Sequence, residues 1–171
     1  SAPEQSWDGL DQDCDGFDQR SLLDIATGYS FACGRRPDEQ IVCWGRGDSG
    51  QLDAPVGARR MVTAGVQHAC ALDENSQVEC WGGNDYSQLS SPLGSFETID
   101  AGSFHTCGIR SSGTLECWGS NANSQSTPPS GTFSAISSGG NFTCALDQAG
   151  YPVCWGYNGN NLLTFTPNEP F

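Results

Sequence analysis

The chain has 171 residues, 36% of them hydrophobic, and carries 20 acidic against 7 basic side chains for a formal charge of −13. An acidic excess of that size repels phosphate backbones and argues against nucleic-acid binding, and the sequence has no apolar run long enough to span a membrane. The length suits one domain with a sizeable core. Nine cysteines point to an oxidising compartment and a disulfide framework. With no basic-then-apolar leader at its start, the chain reads as a mature secreted form, placed outside the cell or on its surface. Richness in Gly, Ser and Asn favours short strands joined by tight turns over helices.

Residues 1–22 form an expected acidic, metal-binding-like segment. Its centre, Asp11-Gln12-Asp13-Cys14-Asp15-Gly16, is a D-x-D-x-D-G loop. Calcium takes six to eight hard oxygens, and alternating carboxylates followed by a turn-forming glycine converge several of them on one point. Asp11, Asp13 and Asp15 are the expected side-chain ligands, Phe17 offers its backbone carbonyl, and Asp18 is a further carboxylate in reach. Leu22 stands where a bidentate Glu closes the usual loop. The stretch from Asp8 to Asp18 resembles a metal-binding motif of bacterial surface proteins, C-D-G-x-D-x-D-C-D-G, in which the two cysteines can pair. Trp7 stands at the leading cysteine's place, so that pairing is not carried over. Ca2+ is the expected cofactor, and Cys14 is left as the odd thiol, free or bridging to a second chain.

Residues 23–171 are organised by one unit repeated four times at a step of 37 residues. Each copy is a cysteine, nine residues, then Cys-Trp-Gly: Cys33 to Cys43-Trp44, Cys70 to Cys80-Trp81, Cys107 to Cys117-Trp118 and Cys144 to Cys154-Trp155. A glycine stands five residues before each first cysteine (Gly28, Gly65, Gly102, Gly139), and a β-branched aliphatic eight before it (Ile25, Val62, Ile99, Ile136). A fixed period of this size marks a repeat architecture.

Each copy reads as a β-hairpin. A three-residue loop of the type I family ends in a positive-φ residue, and Gly113 and Gly150 sit there in the third and fourth copies. That loop puts residue 109 opposite 115 and 107 opposite 117, so the two cysteines face each other within disulfide reach. Four bridges follow, Cys33–Cys43, Cys70–Cys80, Cys107–Cys117 and Cys144–Cys154, each worth roughly 3 kcal/mol on the chain-entropy model. A nine-residue gap is not zinc-ligand spacing. Alternation puts Ile109 and Leu115 on the disulfide face, while each Trp meets Ala32, Ala69, Thr106 or Thr143 on the other. Apolar mass on both faces implies that every hairpin is sandwiched, with all four repeated tryptophans in the core.

The stretch Val62 to Leu89, apolar-x-A-G-x-x-H-x-C-A-L followed by a hairpin and C-W-G-x-N-x-x-x-Q-L, resembles the regulator-of-chromosome-condensation repeat, with His68, Asn84 and Gln88 in place. The resemblance covers roughly residues 23 to 165. It implies an all-β fold, a propeller-like array of four disulfide-stapled antiparallel blades. Members of the family serve as exchange factors, inhibitors and interaction platforms, mostly without catalysis. Their rings usually hold about seven blades, so four either close a tight ring or leave an open arc. An arc needs its end faces capped, by the flanking segments or by another copy.

No nucleophile elbow, zincin motif or Cys/His pair is present, and the chain is not expected to be an enzyme. His68 and His105 occupy equivalent positions, as do Glu79 and Glu116, which favours structural roles. Asn141-Phe142-Thr143 is a glycosylation acceptor sequence, and Arg46-Gly47-Asp48 is an isolated adhesion-type tripeptide. The expected function is a secreted structural or interaction protein that self-associates into an extracellular assembly such as a filament, stabilised by the calcium loop. The alternative is an extracellular glycan- or protein-binding module, lectin- or inhibitor-like, using loops 46–52, 83–89 and 120–127.

Overall fold

The computed structural model describes residues 22–159. Asp11, Asp13, Asp15, Phe17, Asp18 and Cys14 lie outside the described residues. Among those described, twelve strands make four three-stranded antiparallel sheets, each built from consecutive chain. The first blade is β1 (Asp24–Thr27), β2 (Phe31–Arg35) and β3 (Ile41–Gly45). The second is β4 (Arg59–Ala64), β5 (His68–Asp73) and β6 (Val78–Gly82). The third is β7 (Phe96–Ala101), β8 (His105–Arg110) and β9 (Leu115–Gly119), and the fourth β10 (Phe133–Ser138), β11 (Phe142–Asp147) and β12 (Pro152–Gly156).

The outer two strands of each blade are the expected hairpin. Cys33 pairs with Cys43, Cys70 with Cys80, Cys107 with Cys117 and Cys144 with Cys154, and all four disulfides form. Each hairpin loop has its left-handed residue at the same place: Gly113 and Gly150 (φ 83° and 85°), but Glu39 and Ser76 (φ 64° and 65°) in the first two blades. The third strand of each blade, β1, β4, β7 or β10, carries the periodic Ile or Val and pairs along β2, β5, β8 or β11.

The Cys-Trp-Gly glycine has two reasons to recur. It takes φ near +100° in every blade, from 92° at Gly119 to 105° at Gly45 and Gly156. A Cβ there would also fall on the carbonyl oxygen of Ser30, Gln67, Phe104 or Asn141. The glycine five residues before each first cysteine is needed for another contact. A Cβ on Gly28, Gly65 or Gly102 would strike the carbonyl oxygen of Gly65, Gly102 or Gly139 in the following blade. These inner turns set how closely successive blades approach the axis.

Blades stack with one handedness of face. The disulfide face of one lies on the tryptophan face of the next. Phe31, Cys33 and Ile41 share a buried cluster with Val62, Ala69, Ala71 and Trp81. Cys70 and Leu72 meet Phe96, Ile99 and Trp118, and Cys107 and Ile109 meet Phe133, Ala145 and Trp155. The core is therefore three inter-blade layers rather than one central mass.

Candidate interaction surfaces

The three layers share a polar signature at fixed positions. The indole N–H of Trp81 donates to the Gln51 carbonyl at 2.9 Å, Trp118 to Gln88 at 3.0 Å and Trp155 to Gln125 at 2.9 Å. The side-chain oxygens of these glutamines accept the backbone N–H of Ser49, Tyr86 and Asn123 at 2.8, 2.7 and 2.7 Å. All three glutamines are buried. In the loops considered for ligand binding, the glutamine side chain thus braces its own loop while its backbone carbonyl holds the next blade.

A second signature joins residue n to residue n+38. His68 Nε2 lies 2.9 Å from Thr106 Oγ1, and His105 Nε2 lies 2.8 Å from Thr143 Oγ1. The Thr143 hydroxyl donates to Ser138 Oγ (3.3 Å), which donates to the Asp100 carbonyl (3.1 Å). His105 Nε2 must then carry the proton. Both Nδ1 atoms are buried without a partner. Burial pulls both histidines down to about 4, with the mutual repulsion of His68 and His105 adding to the effect on His68. Where the first blade has Phe31 instead of His, the second has Ala69 instead of Thr, in the same buried cluster. An aromatic ring shares its layer with a methyl there, whereas in the next two layers imidazole meets hydroxyl.

The repeated glutamates do not come together. Glu79 pairs with Arg59 at 2.5 Å within the second blade, and Glu116 pairs with Arg110 within the third. Arg46 and Asp48, both largely exposed, pair with each other at 2.6 Å, so the adhesion-type tripeptide folds its charges together rather than splaying them. Asn141 is exposed in the turn before β11. The axial cavity of about 210 Å³ is lined by the inner turns, chiefly glycine and other small residues with Tyr29. The inner strands line a neighbouring axial space that includes Asp100, whose carboxyl burial raises above the usual range while hydrogen bonds from Ser138, Thr63 and Ala101 oppose the shift.

The array has two unequal ends. Trp81, Trp118 and Trp155 are 6–8% exposed, but Trp44 is 46% exposed, which corrects the expectation that all four lie in the core. Ile25 is 58% exposed against 4% for Val62 and 1% for Ile99. At the other end Cys144 and Leu146 are half-buried, whereas Cys107 and Ile109 are buried. A shallow, mostly apolar depression there is lined by Ala135, Ile136, Ser137, Cys144, Ala145 and Leu146. Among the described residues no blade covers the tryptophan face of the first, where Leu22 packs over Gly34, or the disulfide face of the fourth.

Comparison with known proteins agrees with this architecture. The ectodomain of the Physcomitrella patens receptor kinase CR4 superposes with a TM-score of 0.74 at 28% identity, covering 85% of this chain and 45% of that one. The CRINKLY WD40 ectodomain of the Arabidopsis thaliana receptor kinase ACR4 gives 0.73 at 24% identity, covering 85% and 61%. Prp20p from Saccharomyces cerevisiae gives 0.76 at 16% identity, covering 90% and 49%. The chain thus spans roughly half the length of the proteins it resembles. No curated protein matches by sequence. The family model for the regulator of chromosome condensation (RCC1) repeat matches residues 23–51, 62–88 and 96–125, just over half of the chain. The fourth blade, with Phe142 in place of the histidine, repeats the same strands and pairing outside that match. The chain belongs to the RCC1 repeat family.

Proposed function

We propose that the protein is an extracellular, non-catalytic interaction module that works by self-association, with a calcium-binding loop at Asp11, Asp13, Asp15, Phe17 and Asp18 stabilising the assembly. The observation that carries this reading is the pair of open blade faces, Trp44 and Ile25 at one end, Cys144 and Leu146 at the other. Apolar faces of this kind are matched rather than left in water. The four disulfides, and the likeness to a receptor ectodomain at 28% identity, support a place outside the cell. Light scattering with negative-stain microscopy, in calcium and after chelation, tests it. Growth in mass with concentration, reduced by chelator and by Asp13→Asn, is the expected result. A monomer in both conditions would end the self-association reading.

A second reading is a binding module for a glycan or a protein, and one feature favours it. Tyr29, in the turn between β1 and β2, and Tyr86 and Tyr157, in the segments after β6 and β12, are exposed, with Tyr86 packed 5.1 Å from Phe104. Exposed aromatic rings are the usual platform for sugar faces and peptide side chains. A glycan array with Tyr29→Ala and Tyr86→Ala as controls separates the two readings.

A further inference from the structure

We infer that the partner at the open faces is a second copy of this chain, joined head to tail in the register of the internal blades, with Phe142 of one copy seated on Ala32 of the next. This rests on the self-association reading and specifies its joint. The argument is continuity with three interfaces already formed. Residue n of the disulfide face meets residue n+38 of the tryptophan face at His68 with Thr106 and His105 with Thr143, and Phe31 and Ala69, at the same two positions, share one buried cluster. All six are buried. The two positions of that set with no partner blade among the described residues are Phe142, on the disulfide face of the fourth blade, and Ala32, on the tryptophan face of the first, where Leu22 covers only the neighbouring Gly34. Both are only half-buried. Their types are complementary in the same sense as Phe31 and Ala69. A histidine at 142 would face a methyl, and a threonine at 32 would present its hydroxyl to a phenyl ring. Neither mismatch occurs.

The rest of the two faces agrees. Trp44, Ile25 and Val42 stand where Trp81, Val62 and Glu79 stand in the second blade, so the glutamate is replaced by an apolar residue on the face left open. Cys144 and Leu146 stand where Cys107 and Ile109 are covered by a neighbour. In a chain of charge −13, these face positions carry no charge. Burying them against each other desolvates no ion. Opposite faces meet in this joint, so it is heterologous: two copies close an eight-bladed ring, or the contact repeats along a filament.

Sedimentation velocity and light scattering of the full chain over a range of concentrations test the joint with three variants. Phe142→His strands an imidazole against Ala32 and is expected to weaken association by about tenfold to a hundredfold. Ala32→Thr weakens it less. The double variant rebuilds the His68–Thr106 pairing across the joint and is expected to recover to within about threefold of the wild type. Within one copy the two residues sit on opposite end blades, so each variant should melt as the wild-type monomer does, which separates folding from joining. Association that ignores Phe142→His, or a double variant no better than the worse single one, overturns the joint while leaving self-association standing. A wild-type chain that stays monomeric at every concentration overturns both.

Discussion

Trp44 and Trp81 belong to the same Cys-Trp-Gly motif, on the same strand of equivalent blades, opposite the same residue type, Ala32 and Ala69. One is 46% exposed and the other 6%. Nothing in the motif distinguishes them. The difference is the neighbour: Trp81 has the first blade and the Gln51 carbonyl to pack against, whereas Trp44 has no blade on its side among the described residues. In a stacked array, a residue's burial is a property of the layer between units rather than of the unit.

The sharpest test of that contrast is truncation. Trp118→Ala empties a site sealed by Phe96, Ile99 and the Gln88 carbonyl, and is expected to cost about 3–5 kcal/mol of unfolding free energy. Trp44→Ala, in dilute monomer, should cost under about 1 kcal/mol by the same urea titration. Equal losses would mean that the first blade's tryptophan face is covered after all.

Acid attacks the inner layers selectively. His68 and His105, held near 4 in the fold, are neutral there while the unfolded chain takes up protons below about 6.5. Their contribution is therefore complete above that value and is lost as pH falls from about 6.5 to 4, by up to about 3 kcal/mol for each histidine. Asp100 runs the other way: its raised value means that ionisation above the ordinary carboxylate range works against the fold. Unfolding midpoints against pH should show the acid loss flattened in His68→Phe with Thr106→Ala, which copies the layer between the first two blades. An unchanged profile would remove the imidazoles from the account.

The smallest effect is kinetic. Cys33, Cys70 and Cys107 are fully buried, whereas Cys144 is half-exposed on the open face. Mild reductant followed by alkylation and mass mapping should open Cys144–Cys154 first, and association through that face should slow it.

The hairpins were legible because their determinants are local. The loop length and Gly113 set the register, which placed Cys107 opposite Cys117 and Thr106 opposite Trp118. The family resemblance added the small sheets of a propeller. The inner strand of each blade was marked only by an isolated Ile25, Val62, Ile99 or Ile136, because its own alternation is weak, although it pairs with the strand that follows it in the chain. Gln51, Gln88 and Gln125 sat in turn-rich stretches that read as open loops. Only the stacked blades reveal that these side chains are buried braces of their own loops, whose carbonyls accept from the following tryptophan. Left-handed turn residues were legible at Gly113 and Gly150 but not at Glu39 and Ser76, where the fold imposes a conformation that the side chain does not prefer.

Each disulfide joins cysteines 10 apart in sequence and stays inside its own hairpin. The eight paired thiols have roughly a hundred ways to combine, yet here each finds its mate inside its own hairpin as soon as that hairpin forms, before a cysteine of a later blade competes. Oxidation can thus proceed hairpin by hairpin, from the first unit to the last. A lineage that duplicates or deletes a unit inherits a complete set of crosslinks without having to rearrange any of the others.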